Sequence, residues 1–255
     1  MMNDTVAKRL TAELLSLGVR PGGVLLVHSS LRSLGAEISR ADQGAEIVVR
    51  SLLAALGESG TLLMPALSYE TVGFFNPFFS VRGTPSCIGA LQEYFRTRPG
   101  TVRSVHPTHS VCGVGRRVEE LLSDHQLDAT PCGPHSPFTK LPLISGQLLF
   151  IGCGLRPNTS MHAIEELAEP PYLYGELVTY RVILSDGSET RMVVRRHNFK
   201  GWRQRYDRLE QVQSDGLIKG HVLQAECYLV NAAEMKLAAL SALRSDPLFF
   251  VEPRL

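Results

Sequence analysis

GVLLVHSSLRSLGAEISRADQGAEIVVRSLLAALGESGTLLMPALSY, residues 23–69, holds two short apolar runs separated by an amphipathic segment. Neither Val24–Val27 nor Leu62–Met64 alternates apolar with polar, which is the pattern of strands covered on both faces. Between them, residues 41–57 place Ile47, Leu52, Leu53 and Leu56 on one helical stripe, with Gly57 positioned to end it. The first run enters a polar turn at residues 28–35, and Pro65 breaks the second. A β-α-β order with buried strands predicts a sheet covered by helices, the α/β class.

The flanking segments extend this pattern. Residues 4–18 predict a helix with Val6, Leu10, Leu14 and Leu15 on one face. GFFNPFFSVRGTPSC (73–87) is aromatic and aperiodic, a lid or a wall over the core. A short helix ending at Pro99-Gly100 follows, then a bend into a strand at 101–115, a short helix from Arg116, and a turn-rich stretch at 128–141. GQLLFIGCGLRPNTSMHAIEELAE (146–169) reads as a buried strand, a tight loop and a helix. LYGELVTYRVILSDGSETRMVVRR reads as a hairpin turning at Asp186-Gly187. Residues 199–212 suggest a basic helix with Phe199, Trp202, Tyr206 and Leu209 on one side, and 221–246 a last strand and helix. No repeat or linker interrupts the chain, so 1–255 is expected to be a single domain, elaborated at about 173–212 by the hairpin and basic helix.

Composition narrows the function. Of the 255 residues 44% are hydrophobic and 20% charged, and the net charge is +1, so no global field favours a nucleic acid or a membrane surface. No run approaches the roughly 18 apolar residues of a membrane span. The N-terminal segment lacks a signal-peptide core. The five cysteines, Cys87, Cys112, Cys132, Cys153 and Cys227, are scattered without CxxC spacing, the usage of a reducing compartment. A cytoplasmic location is expected.

The chemistry-bearing residues concentrate after Asn158-Thr159-Ser160. With Asn158 or Thr159 as N-cap, His162 falls in the first turn, with Glu165 and Glu166 at i+3 and i+4. Met161, Ile164, Leu167 and Ala168 form the side that packs down. A carboxylate orients an imidazole as a general base needs, although ordinary surface helices also carry His-x-x-Glu. SVHPTHS (104–110) sets His106 and His109 among hydroxyls in a Pro-constrained bend. Those groups suit an amide- or phosphate-bearing ligand, and His106, His109 and His162 with a carboxylate are the zinc alternative. Ser29 and Ser30 follow a strand without dinucleotide-binding glycines, yet could meet phosphate or amides. Cys153 is either a nucleophile or a small buried residue. The seven Arg or Lys at 191–208, against Asp207 alone, read as a solvated basic face or a phosphate attractor.

Taken in order, VLLVHSSLRSLG, GTLLMP, RSVHPTHSVCGVG, GPHSPFTKL and NTSMHAIEE resemble the antibiotic N-acetyltransferase family, typified by aminoglycoside 3-N-acetyltransferases. The resemblance is clear over about residues 5–170. It implies a three-layer α/β/α sandwich with a mixed central sheet, unlike the GNAT acetyltransferases. It implies acetyl-CoA as cosubstrate, bound by Ser29, Ser30 and Leu31 with Ser104, His106 and Ser110, and no metal. It further implies His162 and Glu165 as the catalytic pair, supported by Thr159, with Glu166 the alternative partner. Glu166, Glu169 and Tyr69 are expected on the acceptor side, with Glu70 and Asp128 as further acids. The implied reaction is direct acetyl transfer to a primary amine of an aminoglycoside, with backbone N–H groups or hydroxyls such as Ser104 or Ser110 as candidate donors to the thioester oxygen. The chain departs from the family in carrying Gln43-Gly44-Ala45 where relatives have Gly-Gly, and in its neutral charge and basic 191–208 segment. A non-aminoglycoside amine, a zinc hydrolase and a non-catalytic CoA-binding protein are the other readings. The oligomeric state is not readable.

Overall fold

The computed structural model describes residues 2–40 and 43–254. It opens with α1 (Met2–Leu17), β1 (Val24–Ser29), a 3-10 turn at Leu31–Leu34, α2 (Ala36–Ser39), α3 (Gly44–Leu56) and β2 (Thr61–Pro65). Next come β3 (Phe78–Ser80), α4 (Ala90–Thr97), β4 (Val102–Arg103), β5 (Val111–Gly115), α5 (Val118–Leu122), α6 (Pro137–Leu143) and β6 (Gln147–Ile151). Then follow α7 (Met161–Ala168), β7 (Tyr174–Ile183), β8 (Glu189–His197), β9 (Trp202–Gln204) and α8 (Leu209–Val212). β10 (Leu217–Val222), β11 (Ala225–Asn231), α9 (Ala232–Ser245) and β12 (Val251–Pro253) are the last.

The central sheet has seven strands in the order β10-β11-β6-β1-β2-β5-β4. β6, β1 and β2 run parallel at its centre, and the flanking pairs are antiparallel, so the sheet is mixed. Strand alternation divides its side chains between two cores. Leu25 and Val27 join α1 and α3 on one face, whereas Val24 and Leu26 join α5, α6, α7 and α9 on the other. The same parity sends His28 to the α7 face, where it stacks on Phe150 with centroids 4.9 Å apart. The three-layer α/β/α sandwich expected from the resemblance is what forms. Among the described residues no helix is long and apolar enough to cross a membrane.

The hairpin β7–β8 turns at Asp186-Gly187 as the alternation predicts and takes β3 as a third strand. Val178, Tyr180, Val182, Met192 and Val194 bury against Phe79 and Val81. The 73–87 segment is therefore in part a strand. β8 ends at His197, which the hairpin carries to the rim of the main sheet.

Several local expectations change. Residues 199–212 do not form a basic helix: Gly201 has φ +80°, β9 pairs with β12, and only a 3-10 turn at Tyr206–Arg208 and the single-turn α8 are helical. Arg203 and Arg205 bond to Glu252 on β12, so the basic residues serve a strand pairing. The turn-rich 128–141 contains the start of α6, where Ser136 caps a helix beginning with Pro137. The predicted 41–57 helix begins at Gly44, and Ala41 and Asp42 lie outside the described residues. Leu167 is 51% exposed rather than packed down.

Candidate active site

A cavity of about 650 Å³ opens where β1, β2 and β6 end, the edge at which α/β sheets place ligands. His28 and Ser29 arrive from β1, Tyr69 from beyond β2, Cys153 and Arg156 to Thr159 from the β6–α7 loop, and His162 from α7. His109 comes from the β4–β5 bend, Arg196 to Phe199 from the end of the hairpin, and Arg203, Gln204 and Tyr206 from the segment after it.

The β6–α7 loop turns on Gly152 and Gly154, each at φ +63°. A Cβ on Gly152 would lie 2.2 Å from the Ser33 Cβ, so this close approach requires glycine. The N-cap of α7 is Ser160, not Asn158 or Thr159, and it makes no side-chain cap. Instead the carbonyls of Asn158 and Thr159 accept from Met161 N and His162 N at 3.1 Å each, which fixes the first turn.

The choice between the two glutamates is geometric. Glu165 is fully buried, and its Oε2 lies 2.9 Å from His162 Nδ1. Tyr206 donates to the same oxygen at 2.8 Å and Tyr172 to Oε1 at 2.8 Å. Burial, reinforced by the Glu165 charge, pushes the phenols of Tyr172 and Tyr206 well up, so both stay neutral donors. Glu166 turns elsewhere, accepting from Thr130 Oγ1 at 2.5 Å, from Cys132 N at 2.8 Å, and meeting His197 Nε2 at 2.8 Å. Burial raises its pKa against the hydrogen bonds of Thr130 and Cys132. Burial, then neighbouring histidines, holds His109 and His197 well below the usual imidazole range. Burial alone brings His28 down to about 3. Partial burial pushes the Cys153 thiol up to about 12, which leaves it protonated and a poor nucleophile.

A family model described as aminoglycoside 3-N-acetyltransferase matches residues 26–244. The chain belongs to the aminoglycoside 3-N-acetyltransferase family. Aminoglycoside N(3)-acetyltransferase IV of Salmonella is 34% identical over 96% of this chain and 89% of its own. A crystal structure of a histidine-to-alanine mutant of aminoglycoside acetyltransferase AAC(3)-IVa, in complex with a gentamicin, superposes with a TM-score of 0.79. It is 31% identical and covers 96% of this chain and 91% of that one. The AAC-IIIb structure with CoASH, at 24% identity, shares the fold with a TM-score of 0.81 over 98% of both chains.

Within this acetyltransferase-family fold, His162, Thr159, Ser29 and Tyr69 line the cavity, with Glu165 directly behind His162. Ser30 and Leu31 are off the wall; Ser30 N donates to the Ile151 carbonyl instead. The 104–110 bend is also turned inward. Ser104 Oγ sits 2.9 Å from His125 Nδ1, and Ser110 Oγ donates to the Ala66 carbonyl while accepting from Arg103. His106 Nδ1 accepts from His109 N at 2.9 Å and closes the bend, leaving His109 to face the cavity. Ser104, His106 and Ser110 are thus a layer behind the wall, because the buried Arg103 draws the bend inward with bonds to Ser110 and to the Ala66, Val81 and Thr84 carbonyls. Glu169 is the left-handed, exposed C-cap of α7, away from the cavity. The Asp128 carboxyl accepts from His135 N. Sequence reasoning missed His197 as a site residue and Tyr206 as the second partner of Glu165. Neither belongs to a motif, and only the hairpin and the β9 turn bring them in.

Proposed function

We propose that this protein transfers the acetyl group of acetyl-CoA directly to a primary amine, with aminoglycosides as the acceptor class and the 3-amino group as the position. The observation that carries this reading is the His162–Glu165 contact of 2.9 Å, which occupies Nδ1 and leaves Nε2 free on the cavity wall. With Nδ1–H donating to the carboxylate, Nε2 carries the lone pair that takes a proton from the attacking amine. The new C–N bond forms as the C–S bond breaks, CoA departs as thiolate, and the proton on His162 passes to the thiolate or to solvent. Glu165 stabilises the imidazolium formed on the way. The hydroxyl of Ser29 accepts from Gln92 Nε2 at 3.3 Å, so its proton is available to the thioester oxygen, the role expected of Ser104 or Ser110. Thr159 shapes the adjoining wall. Arg196 and Arg254 line the cavity with no ion-pair partner among the described residues and suit the phosphates of CoA. The reaction needs no metal, and we place it in the cytoplasm.

One observation favours a second acceptor class. Arg156, Arg196, Arg203 and Arg254 line the cavity and, among the described residues, no carboxylate does. Arg156 and Arg203 pair with Asp207 and Glu252 behind the wall, but among the described residues Arg196 and Arg254 do not pair, which suits an amine that also carries an anionic group. Thiol release from acetyl-CoA across a panel of aminoglycosides and anionic amines ranks the two. In the same assay His162→Ala should lower kcat by about a hundred- to ten-thousand-fold. Undiminished turnover in that variant would remove the assignment of the base.

A further inference from the structure

Three imidazoles converge on the cavity from separate parts of the chain. His109 comes from the β4–β5 bend, His162 from the first turn of α7, and His197 from the end of β8. Their ring centroids are 5.7, 5.5 and 5.1 Å apart, and one ring nitrogen of each lies within 4.8 Å of the others. Each ring is held at one nitrogen by an oxygen. Thr108 Oγ1 meets His109 Nδ1 at 2.9 Å, Glu165 Oε2 meets His162 Nδ1 at 2.9 Å, and Glu166 Oε1 meets His197 Nε2 at 2.8 Å. The opposite nitrogens, His109 Nε2, His162 Nε2 and His197 Nδ1, make no hydrogen bond among the described residues. His197 Nδ1 is buried, on a side chain only 4% exposed, and an interior polar atom without a partner is costly.

We infer that His109, His162 and His197 form a site for one divalent transition-metal ion of the zinc class, with its fourth position open to the cavity. Three imidazole nitrogens are the donor set of such ions, whereas magnesium and calcium take oxygen. Metal-binding histidines are oriented by an oxygen on their other nitrogen, and here all three are. Two of those oxygens belong to Glu165 and Glu166, whose charges offset a dication. Tetrahedral bonds of about 2.05 Å separate neighbouring nitrogens by about 3.3 Å, so a triangle whose sides are at most 4.8 Å closes with each nitrogen moving about 0.8 Å or less inward. His106 lies outside the group: its ring is fully buried behind the cavity wall, stacked on His125, and its Nδ1 takes the backbone N–H of His109. The consequence for catalysis rests on the proposed role of His162. A metal on Nε2 holds the lone pair that the amine proton needs, so the ion is an inhibitor and not a cofactor.

The test uses the full chain, stripped with a chelator and free of acetyl-CoA. Equilibrium dialysis against Zn²⁺, with metal analysis, should give one saturable ion per chain, and Co²⁺ should give the visible absorption of a low-coordinate nitrogen site. His197→Ala and His109→Ala should abolish both signals, and Glu166→Gln should weaken Zn²⁺ about 10- to 100-fold through the lost orienting contact. Cys153→Ser, on the same cavity wall, should bind as the parent does. His162→Gln, at the cavity surface, carries the test if thermal melts show that the buried His109 variant has unfolded. Absence of a one-to-one saturable site, its survival in His197→Ala or His162→Gln, or its loss in Cys153→Ser overturns the inference. Because dialysis involves no turnover, a failed metal site and a failed base assignment are read separately.

Discussion

Tyr206→Phe is the sharpest probe of how the buried carboxylate works. The hydroxyl donates to Glu165 Oε2 at 2.8 Å and stands 3.0 Å from His162 Nδ1, so it pins the carboxylate oxygen that orients the imidazole. A hydrogen bond to a charged group contributes about 1.5–3 kcal/mol. Glu165 has no water to replace it, being fully buried. If His162 is the base proposed above and most of that loss falls on the transition state, where it would become cationic and draw hardest on Oε2, kcat should fall about 10- to 150-fold at about 1.4 kcal/mol per decade. KM for acetyl-CoA should change little, because the interaction strengthens only as charge develops. Tyr172→Phe is the internal comparison. It removes the 2.8 Å bond to Oε1, the oxygen that does not meet His162, and should reduce kcat less at similar cost in stability. Initial rates of thiol release at saturating substrates, with a melting curve for each variant, measure both. A folded Tyr206→Phe enzyme with parental kcat, or equal losses in the two variants, refutes orientation through Oε2.

Cys153→Ser should keep kcat within about twofold, since a thiol with pKa about 12 is protonated at neutral pH, and intact-mass spectrometry should find no acetyl-enzyme. Acid should destabilise the fold in a defined window. Burial lowers His28 and His125 to about 3 in the folded chain, so below the unfolded value of about 6.5 only the unfolded chain binds those protons, and stability falls as pH falls. The two together should cost about 2–3 kcal/mol per pH unit once pH is well under 6.5, read by urea denaturation; equal stability at pH 7 and pH 5 would contradict it. Burial raises Glu166 and Asp128, which act in the opposite sense at lower pH. Added salt should raise KM for acetyl-CoA more than KM for an aminoglycoside, because the unpaired Arg196 and Arg254 and, among the described residues, no carboxylate face the cavity; a reversed order would place the arginines away from the cosubstrate.

The α/β frame is legible because its deciding residues are local. Val24–Val27, Leu62–Met64 and Leu148–Ile151 are apolar without alternation, which only a doubly covered strand requires. The 199–212 segment misleads for the same reason. Its helical spacing of aromatic residues is genuine, but Phe199 and Trp202 pack with Tyr172 in one cluster while Tyr206 and Leu209 enter the main core. The partner that makes β9 a strand is β12, about 50 residues away in sequence. Within the site, His162 announces itself by its place after Asn158-Thr159-Ser160. Which glutamate serves it does not follow from spacing, since both lie in reach. Tyr172 and Tyr206 claim Glu165, and Thr130, Cys132 and His197 claim Glu166.

That division also bears on how the cavity handles charge. Acids near His162 would be the natural attraction for a polycationic acceptor, and the sequence places Glu165, Glu166 and Glu169 there. In the folded chain none of the three lines the cavity: Glu165 accepts three donors, Glu166 accepts from a hydroxyl and a backbone amide and meets a histidine, and Glu169 faces solvent at the end of α7. Their charge acts instead on the imidazoles, setting which nitrogen of His162 and of His197 is free. Among the described residues the polar part of the cavity wall is imidazoles, hydroxyls, side-chain amides and arginines. Such a wall favours an anionic ligand over a polycationic one in the encounter; if Tyr69, Thr159 and the histidines meet the acceptor as proposed, selection of the amine rests on short-range hydrogen bonding. Long-range attraction then contributes to acetyl-CoA binding, and acceptor specificity becomes a matter of shape and lone pairs.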